Sequence, residues 1–303
     1  MWVTYLDDPQ LGRDEPTYQC WRNLGVSEDH LLGLDQHHCF WRQRSLGQIA
    51  SDGKKCGPHT EIFYERPERA CSICENHQQP LTTCSCGRMV EVSNSLFIEN
   101  YLNEDGGLLS AETVFAECVV GIERLAMIMQ DAVDVYHIQK FQTWRKALEL
   151  FLPHTLTAEQ ENGVNLILDH LFAFVKLENE GAPSPGRGGR AYIMKRLARG
   201  AFTQLLVHDL PVEHILKSIL ITPQDQASLD MLLTELVRFT KTLGRGKREL
   251  KKRVRHSTSR GPAHLISLEK IGLPKELFKK YYDQVNCSNP INTCKPLEKT
   301  SLS

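Results

Sequence analysis

The sequence predicts an α+β chain, with a sheet in its first part and helices through almost all of its second, because strand-like runs come first and helix-period runs follow. Trp2-Val3-Thr4-Tyr5, Glu61-Ile62-Phe63-Tyr64 and Met89-Val90-Glu91-Val92 are β-branched and aromatic runs broken by Asp, Gly and Pro. Such runs suit strands that pair without being neighbours in sequence. From Glu112 onward the apolar residues change period: Leu125 with Met129, Leu148 with Leu152, then Asn165 to Leu177 and Leu229 to Phe239 recur at helical spacing. Between the two helical blocks, Gly181-Ala182-Pro183-Ser184-Pro185-Gly186-Arg187-Gly188-Gly189-Arg190 forbids a continuous helix and predicts an exposed, positively charged loop.

With 303 residues, 41% of them hydrophobic, the chain can fill one large core or two ordinary ones. The first ten residues carry two Asp and no apolar run, and no stretch approaches the roughly 20 apolar residues of a membrane span, so a cytoplasmic location without membrane contact is expected. The net charge of -1 conceals a division. Residues 1 to 120 hold nine Lys/Arg against eighteen Asp/Glu, whereas 241 to 260 hold nine against one. The basic run reads either as a footprint for phosphate backbones or as a solvated helix face.

Cys71-Ser72-Ile73-Cys74 and Cys84-Ser85-Cys86-Gly87 present two close thiol pairs in one polar stretch. Four thiolates, Cys71, Cys74, Cys84 and Cys86, satisfy tetrahedral Zn²⁺ with no open position, which makes the expected site structural; a redox pair or scattered thiols are the alternatives. His77 is a substitute ligand. The remaining Cys20, Cys39, Cys56, Cys118, Cys287 and Cys294 show no pairing and are expected to be buried as small hydrophobes. Val119-Val120-Gly121-Ile122-Glu123-Arg124-Leu125 passes from a strand-like run through Gly into a helix. A Gly and an Arg fork at a helix start suit a triphosphate, although the same turn also serves as a helix start with an exposed ion pair. After the Gly-rich loop, Arg190, Lys195, Arg196 and Arg199 fall on a helix whose apolar stripe is read as Tyr192, Ile193 and Leu197, with Arg196 and Arg199 on one face.

In order, these segments resemble the alanine-tRNA ligase family of class II aminoacyl-tRNA synthetases. Asp52 to Tyr64 resembles the family's D-T-G-P-C-G-P-C-[ST]-E-I run, Glu91 to Phe97 resembles E-I-W-N-x-V-F, and Glu117 to Leu125 resembles D-T-G-M-G-L-E-R-L, the third signature motif of the class. Asp169-His170 resembles the family's D-H pair, Arg190 to Arg196 resembles R-G-Y-[VI]-L-R-R, Phe239 to Gly246 resembles F-x-K-T-L-E-R-G, and Gly272-Leu273-Pro274 resembles the G-F-P turn.

The resemblance implies a partial class II antiparallel sheet with helices over residues 1–145, a span that holds the cysteine loop at 71–86, whose zinc rests on spacing alone. A helical tRNA-recognition domain over 146–285 and a flexible tail at 286–303 would follow. It further implies ATP with Mg²⁺, alanine and tRNA as substrates. Arg124 would be catalytic, holding the γ-phosphate end of ATP beside Gly121; Glu117 would take the substrate ammonium, Asn94 its carboxylate side or the neighbouring backbone, and Glu61 the pocket wall. Arg187, Arg190, Lys195, Arg196 and Arg199 would contact tRNA phosphates.

Departures from the family pattern are as informative. Met1-Trp2-Val3-Thr4 resembles the strand that follows the first two class motifs, so those motifs are expected to lie upstream or on a separate chain, and the family's editing and C-terminal oligomerising modules are expected to be absent. Val119 stands where the third motif has its first Gly, Glu117 where it has Asp, and Pro185 where a tRNA-reading Asn belongs. Besides an alanine-tRNA ligase needing such a segment, the sequence admits a paralogue that activates another amino acid for a non-tRNA acceptor, and a non-catalytic tRNA-binding module.

Overall fold

A computed structural model describes residues 1–43, 54–69, 82, 84, 86–103, 106–256 and 273–287. The chain divides into two compact units, Met1–Ile138 and Gln139–Ser303. The sheet and the helices predicted from sequence are both present, in that order. No helix among the described residues is long and apolar enough to cross a membrane.

The first unit contains β1 (Trp2–Asp8), β2 (Gly12–Arg13), α1 (Glu15–Asn23), β3 (Leu31–Leu34), α2 (Gln36–Cys39), β4 (Phe40–Arg42), β5 (Lys54–Glu65), β6 (Met89–Leu102), β7 (Leu108–Val120) and α3 (Ile122–Met129). Its sheet runs β2-β1-β5-β6-β7, antiparallel along that path, with β3 added parallel to β1 and β4 antiparallel to β5. Strand alternation decides the packing. Val3 and Tyr5 enter one cluster with Val26 and Leu31, while Leu6 enters another with Cys39, Phe40 and Cys56. Glycine is required at Gly57, in the bulged start of the β5–β6 ladder, because a Cβ there would lie 1.7 Å from the backbone oxygen of Phe97.

Two sequence expectations fail in this unit. Residues 112–118 are not helical: Thr113, Val114, Phe115, Val119 and Val120 favour a strand, and β6 supplies a ladder from Ser93↔Val120 to Leu102↔Leu108. The resulting β7 ends the sheet path and is exposed along nearly its whole length. Burial holds for Cys39 and Cys56 but not for Cys20, on the outer side of α1, or Cys118, on β7. Cys294 and the Cys287 side chain lie outside the described residues.

The second unit is helical: α4 (Gln139–Glu149), α5 (Ala158–Asn179), α6 (Gly189–Val207), α7 (Val212–Ile219), α8 (Gln226–His256) and α9 (Lys275–Cys287). Helix α4 ends before Leu152. A capping box starts α5, with Thr157 Oγ1 accepting from Gln160 N–H and Gln160 Oε1 accepting from Thr157 N–H. Its buried face, Val164, Ile167, Leu168, Leu171 and Phe174, follows the helical period. On α6 the buried stripe is Met194, Ala198, Ala201, Phe202 and Leu205, whereas Tyr192 and Ile193 face solvent and Leu197 is half-buried. Small Ala198 and Ala201 let α6 pack closely, which the more hydrophobic Tyr-Ile-Leu set had obscured.

His170 on α5 and His208, which caps the end of α6, are each seated against a glycine of the opposite helix. A Cβ on Gly200 would meet His170 Nδ1 at 2.2 Å, and one on Gly163 would meet His208 Nε2 at 2.3 Å. Both ring nitrogens are buried with no hydrogen-bond partner among the described residues, and burial pushes both imidazoles below their ordinary pKa of 6.5. The unfolded chain therefore takes up these protons first, so stability is full above about pH 6.5 and falls as pH drops toward the depressed folded values. Thermal unfolding between pH 7.5 and 5 should show this decline, and His208→Gln should flatten it. An unchanged pH slope in that variant would show that His208 is not its source.

Candidate functional site

A polar ladder inside the sheet fixes the first candidate residue. Trp21 Nε1 donates to Thr60 Oγ1 at 2.8 Å, Thr60 Oγ1 donates to the Thr4 carbonyl at 2.6 Å, and Thr4 Oγ1 accepts from the Glu61 N–H at 3.0 Å. Glu61 then stands in a cross-strand row with Asn94 and Val119. Beyond that row the register shifts: Ile62 faces Ser93, but Phe63 faces Glu91, leaving Val92 as the extra residue. This bulge changes the parity of β6, so Glu91 shares the Asn94 face although three residues separate them.

The bulge also receives α3. Gly121 N–H donates to the Val92 carbonyl at 2.9 Å, and Arg124 lies back over the strand, its Nη1 donating to Glu91 O at 2.9 Å and to Glu91 Oε2 at 3.1 Å. Asn94 Nδ2 donates to Glu91 Oε1 at 3.0 Å. A cavity of 430 Å³ opens here, with His37, His38, Glu61, Phe63, Glu91 and Arg124 in its wall. Two carboxylates, two imidazoles and a guanidinium around one opening suit a ligand bearing both cationic and anionic groups. Glu117 stands two rungs along, opposite Leu96, and is exposed outside the residues that line this cavity.

Sequence reasoning named Glu61, Asn94, Gly121 and Arg124, which the fold brings together, but gave Glu91, His37 and His38 no role. The histidines are placed by β1: Asp8 accepts from the N–H groups of Gln10, Leu11 and Gln36 at 2.8, 2.9 and 2.9 Å, which holds its carboxyl below the ordinary range and pins the start of α2. The signal in the sequence was the Asp35-Gln36-His37-His38 spacing, in which an Asx cap sets the ring after it.

In the helical unit, Arg187 and Arg190 are exposed on either side of Gly188 and Gly189, both of which adopt positive φ. Pro185, expected on an exposed loop, is buried, and its carbonyl accepts from Arg238 Nη1 at 3.3 Å. Arg196 is exposed, and Lys195 Nζ lies 5.0 Å over the Tyr192 ring. Arg199 is engaged inward, its Nε donating to Glu235 Oε1 at 2.7 Å and its guanidinium standing over Phe239. The Glu235 side chain is only 2% exposed. These α6 side chains, with His170 and Glu276, line a second cavity of 610 Å³.

The basic run sorts by helical period. Arg238, Lys241, Arg245, Arg248 and Lys252 are exposed at intervals of three and four, one stripe on α8 about 21 Å long. Lys247 turns the other way, 3.7 Å over the Tyr281 ring, where burial lowers its pKa. Of the proposed zinc ligands, Cys84 and Cys86 are half-buried, while Cys71 and Cys74 lie outside the described residues.

Residues 2–292, running through both units, match the family described as tRNA synthetases class II (A), and the chain belongs to it. Within that class, the chain is similar to the alanine–tRNA ligase of Borreliella afzelii (strain PKo), 28% identical over 293 residues that cover 90% of this chain and 47% of the relative. The Borrelia hermsii ligase matches to the same extent, and that of Wolbachia pipientis wMel is 30% identical over 228 residues, covering 74% of this chain and 23% of the relative. The chain thus spans about half the length, or less, of these curated relatives.

Proposed function

We propose that the chain acts in the ATP-dependent activation of alanine and its transfer to tRNA, in the cytoplasm. The magnesium complex of ATP enters the Arg124 cavity as substrate, with Glu61 and Asn94 beside it for the amino acid. The supporting observation is the Asn94–Glu91–Arg124 hydrogen-bonded array, which sets a guanidinium and paired carboxylates at one opening. Preorganised charge of this kind supplies positioning and electrostatic stabilisation, the main needs of acyl-adenylate chemistry. Transfer RNA is held by the exposed cations of α6 and α8. Alanine as the amino acid rests on the names of the similar proteins. The test is binding: the 303-residue chain should hold both Mg-ATP and tRNA, and failure to hold either overturns this reading.

A structural Zn²⁺ on Cys71, Cys74, Cys84 and Cys86 belongs to the same proposal, on the strength of their spacing. Elemental analysis of purified protein should find about one zinc per chain, and a Cys84→Ser, Cys86→Ser variant should lose it along with thermal stability. A zinc-free preparation with an unchanged melting temperature would remove the site.

A further inference from the structure

We infer that Asp35 and His38 form a second anion-holding element in the wall of the Arg124 cavity, with Asp35 as the positioning residue and the His38 ring as the group that meets a phosphate oxygen. The inference rests on the reading of this cavity as the ATP site, and it assigns a role to residues outside the matched motifs.

The geometry comes from the short helix α2. Asp35 precedes it in extended conformation, and its Oδ1 accepts from His37 N–H at 3.0 Å while lying 2.8 Å from His38 Nδ1. The hydrogen bond from His38 is the main reason the Asp35 carboxyl sits below its ordinary range. With Nδ1–H directed at a carboxylate, the tautomer and ring plane of His38 are set, and a proton on Nε2 makes the ring a cationic donor. His38 lines the cavity, and no partner for its Nε2 is found among the described residues. The start of α2 is already satisfied by Asp35 and by Asp8, so the helix end does not need this ring.

Charge balance explains why a second cation is needed. Arg124 lies on Glu91, so a triphosphate facing it meets a guanidinium already partly neutralised. Among the described residues, the other charged or titratable groups around the opening are His37 on α2, Glu61 on β5 with His59 3.7 Å from it, and Glu91 on β6. Arg42 on β4 is tied to Gln36 Oε1 at 2.6 Å. His37 and His38 are the imidazoles that line the opening itself and can offer a ring N–H to added negative charge. The Asp35 contact singles out His38, because it fixes the ring plane and leaves Nε2 as the nitrogen free to meet a ligand.

The probe is inorganic tripolyphosphate, which needs no adenine contacts, with Mg-ATP as a second ligand. Calorimetric titrations at pH 6 and pH 8 would compare the full chain with His38→Gln, Asp35→Asn, His37→Gln and Arg124→Ala variants of unchanged melting temperature. The ligand's own titration is common to all of them. At pH 6, His38→Gln should weaken binding about tenfold and lose most of the protein-dependent change between the two pH values. Asp35→Asn should weaken it less, and His37→Gln should keep the pH response. Binding by His38→Gln with wild-type strength and pH response overturns the inference alone, as does a lost pH response in His37→Gln. No tripolyphosphate or ATP binding by the wild-type chain removes the cavity reading together with the inference.

Discussion

A Lys241→Ala, Arg245→Ala, Arg248→Ala chain is expected to bind tRNA with a log K against log[salt] slope smaller by roughly two to three, and with affinity at 0.1 M salt lower by roughly 100-fold. The three side chains lie on the exposed stripe of α8, where a phosphate backbone can be followed over about four helical turns. Each contact releases a condensed counterion, so the loss appears in the slope and not only in the affinity. Lys247 provides the control: it lies in the same basic run but over Tyr281, so Lys247→Ala should lower stability and leave the slope unchanged. Filter binding at four or more salt concentrations reads both quantities. Equal slopes for the triple variant and the wild type would place the tRNA contact elsewhere.

Gly57→Ala is expected to destabilise the sheet unit by about 3 kcal/mol or more, in the class of severe backbone and packing defects. Its Cβ would stand 1.7 Å from Phe97 O and 2.8 Å from Phe97 C, and a peptide group cannot swing aside as a flexible side chain can. Strands β5 and β6 must part at the point from which Glu61 and Asn94 are aligned further along the ladder. Gly12→Ala offers a measure of scale: that residue has φ +82° but nothing within 4 Å of the added carbon, so only about 1 kcal/mol of backbone strain is expected. Chemical unfolding of the two variants should rank them in that order. Similar midpoints would mean that the close approach at Phe97 is not as described.

Local chemistry explains which parts of the fold were legible in the sequence. Strands β1, β5 and β6 carry β-branched runs, and α5 carries both a capping box and an unbroken apolar period, so each could be read in isolation. Strand β7 could not, since apolar side chains on both faces leave no alternation to detect. The site divides along the same line. Arg124, Asn94 and Glu61 stood within recognisable motifs, whereas Glu91 joins them only because one extra residue in β6 reverses which side it faces. Nor could the inward engagement of Arg199 be seen, because its partner Glu235 lies 36 residues further along the chain.

Strand β7 also governs how the molecule behaves in company. Leu108, Leu109, Val114, Phe115, Val119 and Val120 are each between 39% and 59% exposed along a strand of thirteen residues. Among the described residues no strand pairs with the outer edge of β7, and such an edge, flanked by apolar side chains and carrying only Glu112 and Glu117 as charges, is a template onto which other strands can add. Association along β7 is therefore expected to grow with protein concentration, which light scattering over a dilution series would read. A Val114→Lys substitution would act as a gatekeeper there, improving solubility while leaving the residues that line the Arg124 cavity unchanged.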